Sequence, residues 1–418
     1  MRVAMNLRNL DIIMLAKFIM LLMIFGIFTI DNRAVLNISS ILMVVISIYH
    51  IVKNKINVLS LAKEFCRNRK ILLIFNVWCL GCIAFFTYKD NAISALNIFF
   101  KDWRYPLVFL LFFLAFHYHK ETLKKTYVFS VIATLAYVIL VVPILRIIKN
   151  NPQELYLQLR YGFAFYVVML YPFMLTSAVL LKGRYLKAFL FLMSFLSFLF
   201  MLYTGARAGI LALVIETIVL MFFCVKNIKL LLIGMLCFIS VGISGITIMY
   251  NVFPQVKYKV NQSLKIDNIS RFTSGRDLIV SQRYPLIMNS TKNIIFGIGY
   301  GNSTYNQYLV DHHAPKKGGV FNPKHGSYNL DDPVFFIILY NVGFGGLILF
   351  ITSMIVNIKD MTSSIKINKD IFNISILSSF IGYFLVYCLF EKMYMDIYLL
   401  YSVLILLFSS NKFLSKNK

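Results

Sequence analysis

The sequence predicts an all-α polytopic membrane protein with about twelve transmembrane helices, and two observations carry that prediction. Of the 418 residues, 59% are hydrophobic, and the mean hydropathy is +0.75. Soluble domains are only about 45–50% apolar, so a single soluble core would not absorb this excess. Apolar runs of roughly 20 residues, the length that crosses a bilayer, also recur along the whole chain.

These runs divide the chain into three parts. Residues 1–250 hold the first nine predicted helices, residues 251–332 form a long polar loop, and residues 333–418 hold the last three helices. The predicted spans are 11–30, 34–52, 71–88, 105–119, 127–148, 162–182, 187–204, 208–225, 230–250, 333–356, 371–390 and 394–411. We expect the catalytic or binding surface in the long loop. A shorter loop, 89–104, is predicted to lie outside the membrane, with Trp103 at the membrane edge.

The positive charges lie mostly between the apolar runs. The formal net charge is +25. If the N-terminus lies in the cytoplasm, every predicted inner segment is basic, whereas the short outer segments hold fewer lysines and arginines. This alternation predicts that both termini and the loop 53–70 are cytoplasmic and that 251–332 faces outward. A nucleic-acid partner is not predicted, because the charges are not massed on one helix or arm.

The cysteines predict neither a disulfide framework nor a metal site. All six lie in or beside apolar runs, and the long polar loop has none. Cys79 and Cys82 have the spacing of half a metal site, but no second pair exists, and two small residues one helical turn apart explain them. His312 and His313 likewise lack a second ligand pair at helical spacing. The sequence therefore predicts no metal and no cofactor.

Two charged residues fall close together in the apolar part of the chain. Arg207 lies between two predicted spans with almost no loop, where an arginine costs a few kcal/mol unless it is solvated, paired or functional. Either Arg207 is an interfacial anchor whose charged end extends to water, or it binds an anion at the mouth of a cavity. Glu216, nine residues further on, either pairs with a basic residue of another span or holds a neutral carboxyl.

The long loop concentrates arginines, namely Arg271, Arg276 and Arg283. Ser274 begins a pattern close to a capping box, which predicts an amphipathic helix at 275–290, bent at Pro285 and lying against the membrane. Arg276 and Arg283 are two helical turns apart and share one face of it. Because arginine forks match phosphate oxygens, this helix binds either lipid headgroups or a lipid-linked phosphate or diphosphate.

The end of the long loop carries the candidate bases. Gly297, Gly299 and Gly301 predict a turn, and the candidate side chains that follow are His312, His313, His325, Asp331 and Asp332. Histidine and aspartate are common general bases. Asp331 or Asp332 is also placed to cap the tenth predicted helix, with Pro333 at its first position, and capping does not exclude catalysis.

Three segments together resemble the bacterial O-antigen polymerase and O-antigen ligase superfamily. TGARAGILALV resembles its small-residue-plus-arginine motif. SGRDLIVSQRYPLIMNSTKNIIFGIGYG resembles its loop signature of Ser-Gly-Arg, an amphipathic helix and a Gly-x-Gly turn. DDPVFFIILYNVGFGGLILF resembles its closing motif, in which a polar residue begins a span and a glycine follows about eleven residues later. The motifs fall within residues 204–350 in the family's order.

The resemblance implies a GT-C-like membrane glycosyltransferase at the periplasmic face of the bacterial inner membrane. Its substrate would be an undecaprenyl-diphosphate-linked oligosaccharide, and its partners the lipid bilayer and the chain-length regulator and flippase of the same pathway. By position, Arg207 and Arg276 would bind the diphosphate, and we add Arg283 as a third diphosphate ligand. Asp332, with His325 second, is the expected general base, and arginines would supply the positive charge without a metal.

One departure separates the two branches of the superfamily. In the resemblance, ligases carry His-Asn or a similar pair at the start of the closing motif, eleven residues before its first glycine. In this sequence that position is Asp332. His325 lies seven residues earlier. An aspartate there favours an O-antigen polymerase over a ligase that transfers glycan to lipid A core. A non-enzymatic flippase is the third alternative, but it should carry charges through its spans, and these spans are nearly charge-free.

Overall fold

The fold is almost entirely helical, as the hydropathy predicts. The computed structural model describes residues 7–29, 33–89, 91–149, 159–160, 162–225, 228–264, 276–316, 321–322, 326–330 and 332–409. Up to residue 252 the helices are α1 Leu7–Ile27, α2 Arg33–Asn54, α3 Val58–Asn68, α4 Lys70–Phe86, α5 Ala92–Ala115, α6 Lys120–Lys149, α7 Ala164–Leu180, α8 Arg184–Thr204, α9 Arg207–Cys224 and α10 Ile228–Val252. A 3-10 turn, His117–His119, precedes α6.

The long polar loop folds into short elements of its own. They are α11 Pro254–Leu264, α12 Arg276–Ile287, α13 Thr291–Phe296, α14 Asn302–Asp311, β1 Phe321–Asn322 and β2 Ser327–Tyr328. The two strands form an antiparallel hairpin in which Phe321 pairs with Tyr328. A small aromatic core joins α12, α14 and the two strands to the first turns of the next long helix. The described elements of the loop therefore form a folded cap on the bundle.

The C-terminal part returns to long apolar helices. They are α15 Val334–Ile367, α16 Ile371–Phe380, a π-helical turn Ile381–Tyr387, α17 Cys388–Phe390, α18 Met395–Leu404 and a second π-helical turn Ile405–Ser409. Helix α15 is broken at Gly343, whose φ of 67° lies in the left-handed region. Helix α7 is almost wholly buried and packs against α8, α9 and α16, which places it at the centre of the bundle.

The chain is a multi-pass membrane protein. Among the described residues, six helices are long and apolar enough to cross a membrane, or seven if the bent pair α3 and α4 forms one span. The six are Arg33–Asn54, His117–Leu145, Arg184–Thr204, Arg207–Cys224, Val334–Ile367 and Ile371–Phe390. Three shorter apolar helices are Ile12–Ile27, Ala164–Leu180 and Met395–Phe408. The twelve-span arrangement stays a prediction.

The segment 89–104, predicted to be an outer loop, is helical for most of its length, and its position outside the membrane stays a prediction. Helix α5 begins at Ala92 and runs without interruption to Ala115, so most of that segment is helical. The Trp103 indole donates a hydrogen bond of 2.7 Å to the Asn76 side chain in α4. An interfacial tryptophan usually finds water or headgroups, whereas this one satisfies its N–H inside the bundle. Polar residues that form hydrogen bonds with a neighbouring helix therefore give a helical segment the polar composition of a loop.

Charged side chains sort onto the two ends of the bundle. Arg207 begins α9, and Lys369 donates to the Phe223 carbonyl at the other end of that helix. Lys124 pairs with Asp370 at that same distant end. We call the two ends the Arg207 face and the opposite face. This separation agrees with the charge alternation of the sequence, which predicts that the opposite face is cytoplasmic.

That orientation is open to a direct test. We expect Ser303→Cys on the exposed side of α14 to react with a membrane-impermeant thiol reagent in intact spheroplasts, because the Arg207 face is predicted to be outside. Lys63→Cys on α3 is the matched variant for the opposite face and should react only after the membrane is permeabilised. Both variants are made in a background without the six native cysteines. The reverse labelling pattern would overturn the predicted orientation.

Candidate functional site

Helix α9 presents Arg207 at its first turn. Helix α8 ends at Thr204, and Gly205, with a φ of 58°, reverses the chain within two residues. Glycine adopts this left-handed conformation without the steric cost that a Cβ brings. Arg207 therefore lies at the N-terminus of α9, where backbone N–H groups point outward and favour an anion. Its side chain is partly exposed.

A second arginine of the predicted site lies beside it. Arg276 is the first residue of α12, and its guanidinium forms an ion pair of 2.5 Å with Glu391, in the connection between α17 and α18. The side chains are 15% and 24% exposed, so the pair is open to the surface on one side. Arg207 lies within electrostatic reach of Arg276, Glu391 and Arg160.

The resulting arginine cluster consists of Arg160, Arg207 and Arg276 together with Glu391. Three guanidinium charges and one carboxylate charge sum to +2 on a partly buried surface. The cluster joins residues that are far apart in the sequence, because α9, α12 and the α17–α18 connection all reach the Arg207 face. A diphosphate carries negative charge on several oxygens, and planar guanidinium groups bind such oxygens in pairs. The structure thus brings together two of the three arginines predicted to bind diphosphate.

The third predicted arginine, Arg283, does not join the cluster. Its Nη1 lies 3.2 Å and 3.1 Å from the two carboxylate oxygens of Asp332, and its Nη2 donates to the Asn329 carbonyl at 2.6 Å. Arg283 is 1% exposed and Asp332 is 0% exposed. The guanidinium also lies over the rings of Tyr305 and Tyr328. This is a buried ion pair inside the cap.

The Arg283–Asp332 pair bears on both predicted roles. Arg283 is engaged by protein groups, so it reaches a diphosphate only if the cap rearranges. Asp332 does not hold the expected cap position, because α15 begins at Val334 with Pro333 as its N-cap. A general base has to reach the proton that it removes. The base role of Asp332 stays a prediction, and it requires the ion pair to open.

The glycine turn fits against the break in α15. Gly297, Gly299 and Gly301 all have φ between 78° and 131°, as the turn prediction expects. A Cβ on Gly297 would lie 2.7 Å from the Asn341 carbonyl carbon, and a Cβ on Gly343 would overlap the backbone of Ile295. No larger residue fits at either position. The loop signature and the closing motif of the superfamily resemblance are therefore in direct backbone contact.

Hydrogen bonds also hold the glycine turn against the break in α15, and we call this contact the glycine junction. The Ile298 amide donates to the Tyr340 carbonyl at 2.7 Å, and its own carbonyl accepts from the Tyr88 amide at 2.9 Å. The Gly301 amide donates to the Asn341 side chain at 3.0 Å. Buried backbone groups need partners, and the break in α15 frees the carbonyls that supply them. The cap is thus attached to both α4 and α15.

His312 of the cap packs against aromatic rings. The His312 ring stacks on Tyr308, and its Nδ1 lies 2.9 Å from the Tyr308 carbonyl. Lys89 binds Asp311 at 2.6 Å, and this hydrogen bond lowers the pKa of the Asp311 carboxyl below its ordinary value. Within the part of the chain that the structure describes, no three metal-binding side chains lie together. The sequence features that fall outside the described residues are His325, Asp331, Ser274 and Arg271.

Several polar residues near the cluster escape the sequence argument. Arg160 and Glu391 lie between the long helices, where charged residues are common in any membrane protein. Asp102 lies in α5, where the Tyr300 hydroxyl donates to it at 2.7 Å, and the charge of Asp396 acts on it as well. Asp396 follows Glu391 by five residues, so this acidic pair lies on the same face as the cluster. The sequence gives no signal for Asp102, because it falls in the segment 89–104 that was predicted to be a loop.

Glu216 occupies the centre of the bundle. It is 0% exposed, and no described residue gives its carboxyl oxygens a hydrogen-bond partner. A Cβ on Gly382, in the π-helical turn, would overlap its Oε1 atom. The sequence left two interpretations open for Glu216, an ion pair with a basic residue or a neutral carboxyl. In the described part of the chain no ion pair with Glu216 is seen.

Comparison with models of known protein families and with curated proteins finds no match. The fold itself shows only the class, which is an all-α multi-pass membrane protein. The superfamily named from the motifs stays an expectation.

The buried ion pair generates a stability prediction. Asp332→Asn leaves Arg283 as a buried charge without its carboxylate, which typically costs about 3–5 kcal/mol. We expect the variant to show lower membrane abundance and a lower melting temperature in detergent. The double variant Arg283→Leu/Asp332→Leu should recover much of that loss, because it removes both charges together. If Asp332→Asn is as stable as the wild type and only its turnover falls, Asp332 acts as a base.

Proposed function

We propose that this protein is an O-antigen or related surface-polysaccharide polymerase of the Wzy type. The observation that carries the proposal is the arginine cluster, in which Arg160, Arg207 and Arg276 converge at one face of a membrane bundle. Lipid-linked diphosphates lie at the membrane surface, where such a cluster meets them. The three motifs that resemble the superfamily contribute Arg207, Arg276 and the junction that attaches the cap.

The reaction joins two lipid-linked glycans. A hydroxyl oxygen of the acceptor sugar attacks the anomeric carbon of the donor glycan, and a glycosidic bond forms. The bond between that carbon and the diphosphate oxygen breaks, and undecaprenyl diphosphate leaves with the bonding electrons. The acceptor proton passes to a base. The protein has to align the two sugars and stabilise the charge on the leaving diphosphate.

In this proposal Arg207 and Arg276 bind the departing diphosphate. Both guanidinium groups are partly exposed, and the net positive charge of the cluster attracts a polyanion. Charge that develops on the diphosphate as the bond breaks is stabilised more strongly than the ground state, which is the condition for raising turnover. Arg160 adds to the positive electrostatic potential of the cluster. Arg283 has a different role, because its ion pair with Asp332 holds the cap in place. No metal or cofactor is needed.

Two sets of side chains are candidate acceptors for the proton. By the resemblance, Asp332 is the base, with His325 second, and this role requires the Arg283–Asp332 pair to open. The acidic pair Asp102 and Asp396 is the alternative, because both residues are half-buried rather than fully buried and lie on the same face as the cluster. A base must lie within hydrogen-bond reach of the acceptor hydroxyl, directly or through one water.

The proposed arrangement has twelve spans, a GT-C-like fold and both termini in the cytoplasm. In a bacterial inner membrane this places the cap, 251–332, in the periplasm, where lipid-linked repeat units are joined. The basic side chains at the opposite face support this orientation by the positive-inside rule. The partners would be the lipid bilayer and the chain-length regulator and flippase of the pathway.

A deletion strain separates the candidate functions. We expect loss of the polymerase to leave lipid A core that carries a single repeat unit, because ligation still occurs without polymerisation. Loss of a ligase would instead leave bare core and polymer on undecaprenyl diphosphate. Loss of a flippase would trap the repeat units on the cytoplasmic side. The lipid-linked and core-linked glycans are resolved by gel electrophoresis and mass spectrometry, and either of the latter two patterns would refute the polymerase proposal.

A conservative substitution tests the cluster. Arg276→Lys keeps the charge but loses the planar fork, so paired contacts to a diphosphate should be lost. We expect turnover to fall by about tenfold to a thousandfold while substrate affinity changes less. The measurement is the rate of glycan extension by purified protein on lipid-linked repeat units.

Arg33→Lys is the matched control for this variant. Arg33 is exposed at the start of α2, on the predicted outer side, and lies far from the cluster in the sequence. It should extend glycan at the wild-type rate. Equal rates for wild type, Arg33→Lys and Arg276→Lys would remove the diphosphate clamp from the proposed mechanism.

A further inference from the structure

A cavity of about 110 Å³ lies at the opposite face, away from the arginine cluster. Helix α3 meets α4 there at an angle of 88°, and α15 closes the other side. The polar residues that line it are Arg67, Asn68, Arg69, Lys70, Ser353 and Asn357. The volume is well above the roughly 10–15 Å³ that one water needs, so a small polyatomic group has room.

Arg69 forms the base of the cavity. Its side chain is 2% exposed, and its Nη1 pairs with Asp360 at 2.5 Å. Its Nε and Nη2 atoms are buried, and no described residue offers either of them an acceptor. The buried Nδ2 amide of Asn68 also has no acceptor among the described residues. Three donor groups of two adjacent residues therefore lack partners at one cavity.

Such donors are costly to leave without partners. A buried donor that loses its acceptor costs roughly 1–3 kcal/mol, and more when the donor is charged. Asp360 occupies one nitrogen of Arg69, so it does not supply the missing acceptors. The group that would satisfy them has several acceptor oxygens and a negative charge. Arg67 and Lys70 add two exposed positive charges at the mouth, which attract the same kind of group.

We propose that this cavity binds a phosphate-type oxyanion. The phosphate oxygens accept from Nε and Nη2 of Arg69 and from Nδ2 of Asn68, while Arg67 and Lys70 lie at the entrance. The site takes either the phosphodiester of an anionic lipid headgroup or free phosphate, since both present the same oxygens. It lies at the other end of the bundle from the arginine cluster, so it does not depend on the proposed polymerase activity.

The shape of the surrounding helices places the site at headgroup depth. Helix α3 has Leu61 and Phe65 on its buried side and charged residues on its exposed side, and it turns sharply into the apolar α4. Amphipathic helices with this geometry lie along a membrane surface. The bend at Arg69 is thus where a surface helix becomes a membrane helix, and lipid phosphates lie at that boundary.

The test uses a variant that leaves the Arg69–Asp360 pair intact. Asn68→Asp replaces a donor with a negative charge at the cavity wall and should weaken oxyanion binding by about tenfold or more. Lys63→Gln on the exposed side of α3 changes the net charge by the same amount outside the cavity, and it should bind as the wild type does. The full chain is purified in an uncharged detergent, and binding is followed by the shift in its thermal unfolding. The probes are short-chain phosphatidylglycerol, short-chain phosphatidylcholine and inorganic phosphate.

The pattern of binding identifies the source of the oxyanion. Binding of phosphatidylglycerol but not of phosphate assigns the site to an anionic lipid, and the reverse assigns it to a soluble phosphate. In either case Asn68→Asp weakens binding and Lys63→Gln does not. Absence of binding for every probe overturns the proposal, as does equal binding by wild type and Asn68→Asp, or an equal loss in Lys63→Gln. If Asn68→Asp does not fold, Asn68→Ala removes one donor without adding charge and should bind severalfold more weakly.

Discussion

The buried ion pair between Arg283 and Asp332 fixes the geometry of the cap. It joins the middle of α12 to Asp332, two residues before α15, and neither side chain reaches solvent. Arg276 lies two turns earlier on the same helix, so the pair sets where that arginine stands relative to Glu391 and Arg207. A buried charge pair is weak evidence for stability, since well-packed apolar residues often replace one without loss. Its effect here is to specify one position of α12 among several that apolar packing would permit.

The glycine junction supplies a second constraint of a different kind. Gly297 and Gly343 bring two backbones together at distances that exclude a Cβ. Hydrogen bonds between the turn and the break in α15 then hold the cap at a fixed height above the bundle. The ion pair fixes the rotation of α12, and the glycine junction fixes the position of the cap. Together they hold the described helices α12, α13 and α14 against the bundle.

Sequence reasoning predicted the helical class and the placement of charges at two ends, because hydropathy and charge are local properties of the chain. The expectation that Arg207 and Arg276 act at one site followed from the superfamily resemblance alone. Sequence reasoning placed Arg283 in the same site as Arg276, since both lie on one face of α12 at a spacing of seven residues. The structure gives each a different carboxylate partner, Asp332 and Glu391, and no local pattern indicates which long-range partner wins. The same limit explains why the first part of α5, up to residue 104, was predicted to be a loop. The hydrogen-bond partner of Trp103 is Asn76, which lies in another helix.

The contact between Arg276 and Glu391 has a consequence for turnover. Before a diphosphate arrives, the guanidinium is held by an internal carboxylate, so binding exchanges one anion for another instead of filling an empty site. If the proposed polymerase activity holds, the strength of this internal contact lowers the affinity for lipid-linked diphosphate. After each transfer Glu391 would then compete for the arginine and help to displace the spent lipid carrier. A polymerase that extends a chain many times has to release this carrier after every addition, and a weak, exchangeable contact would allow it to do so.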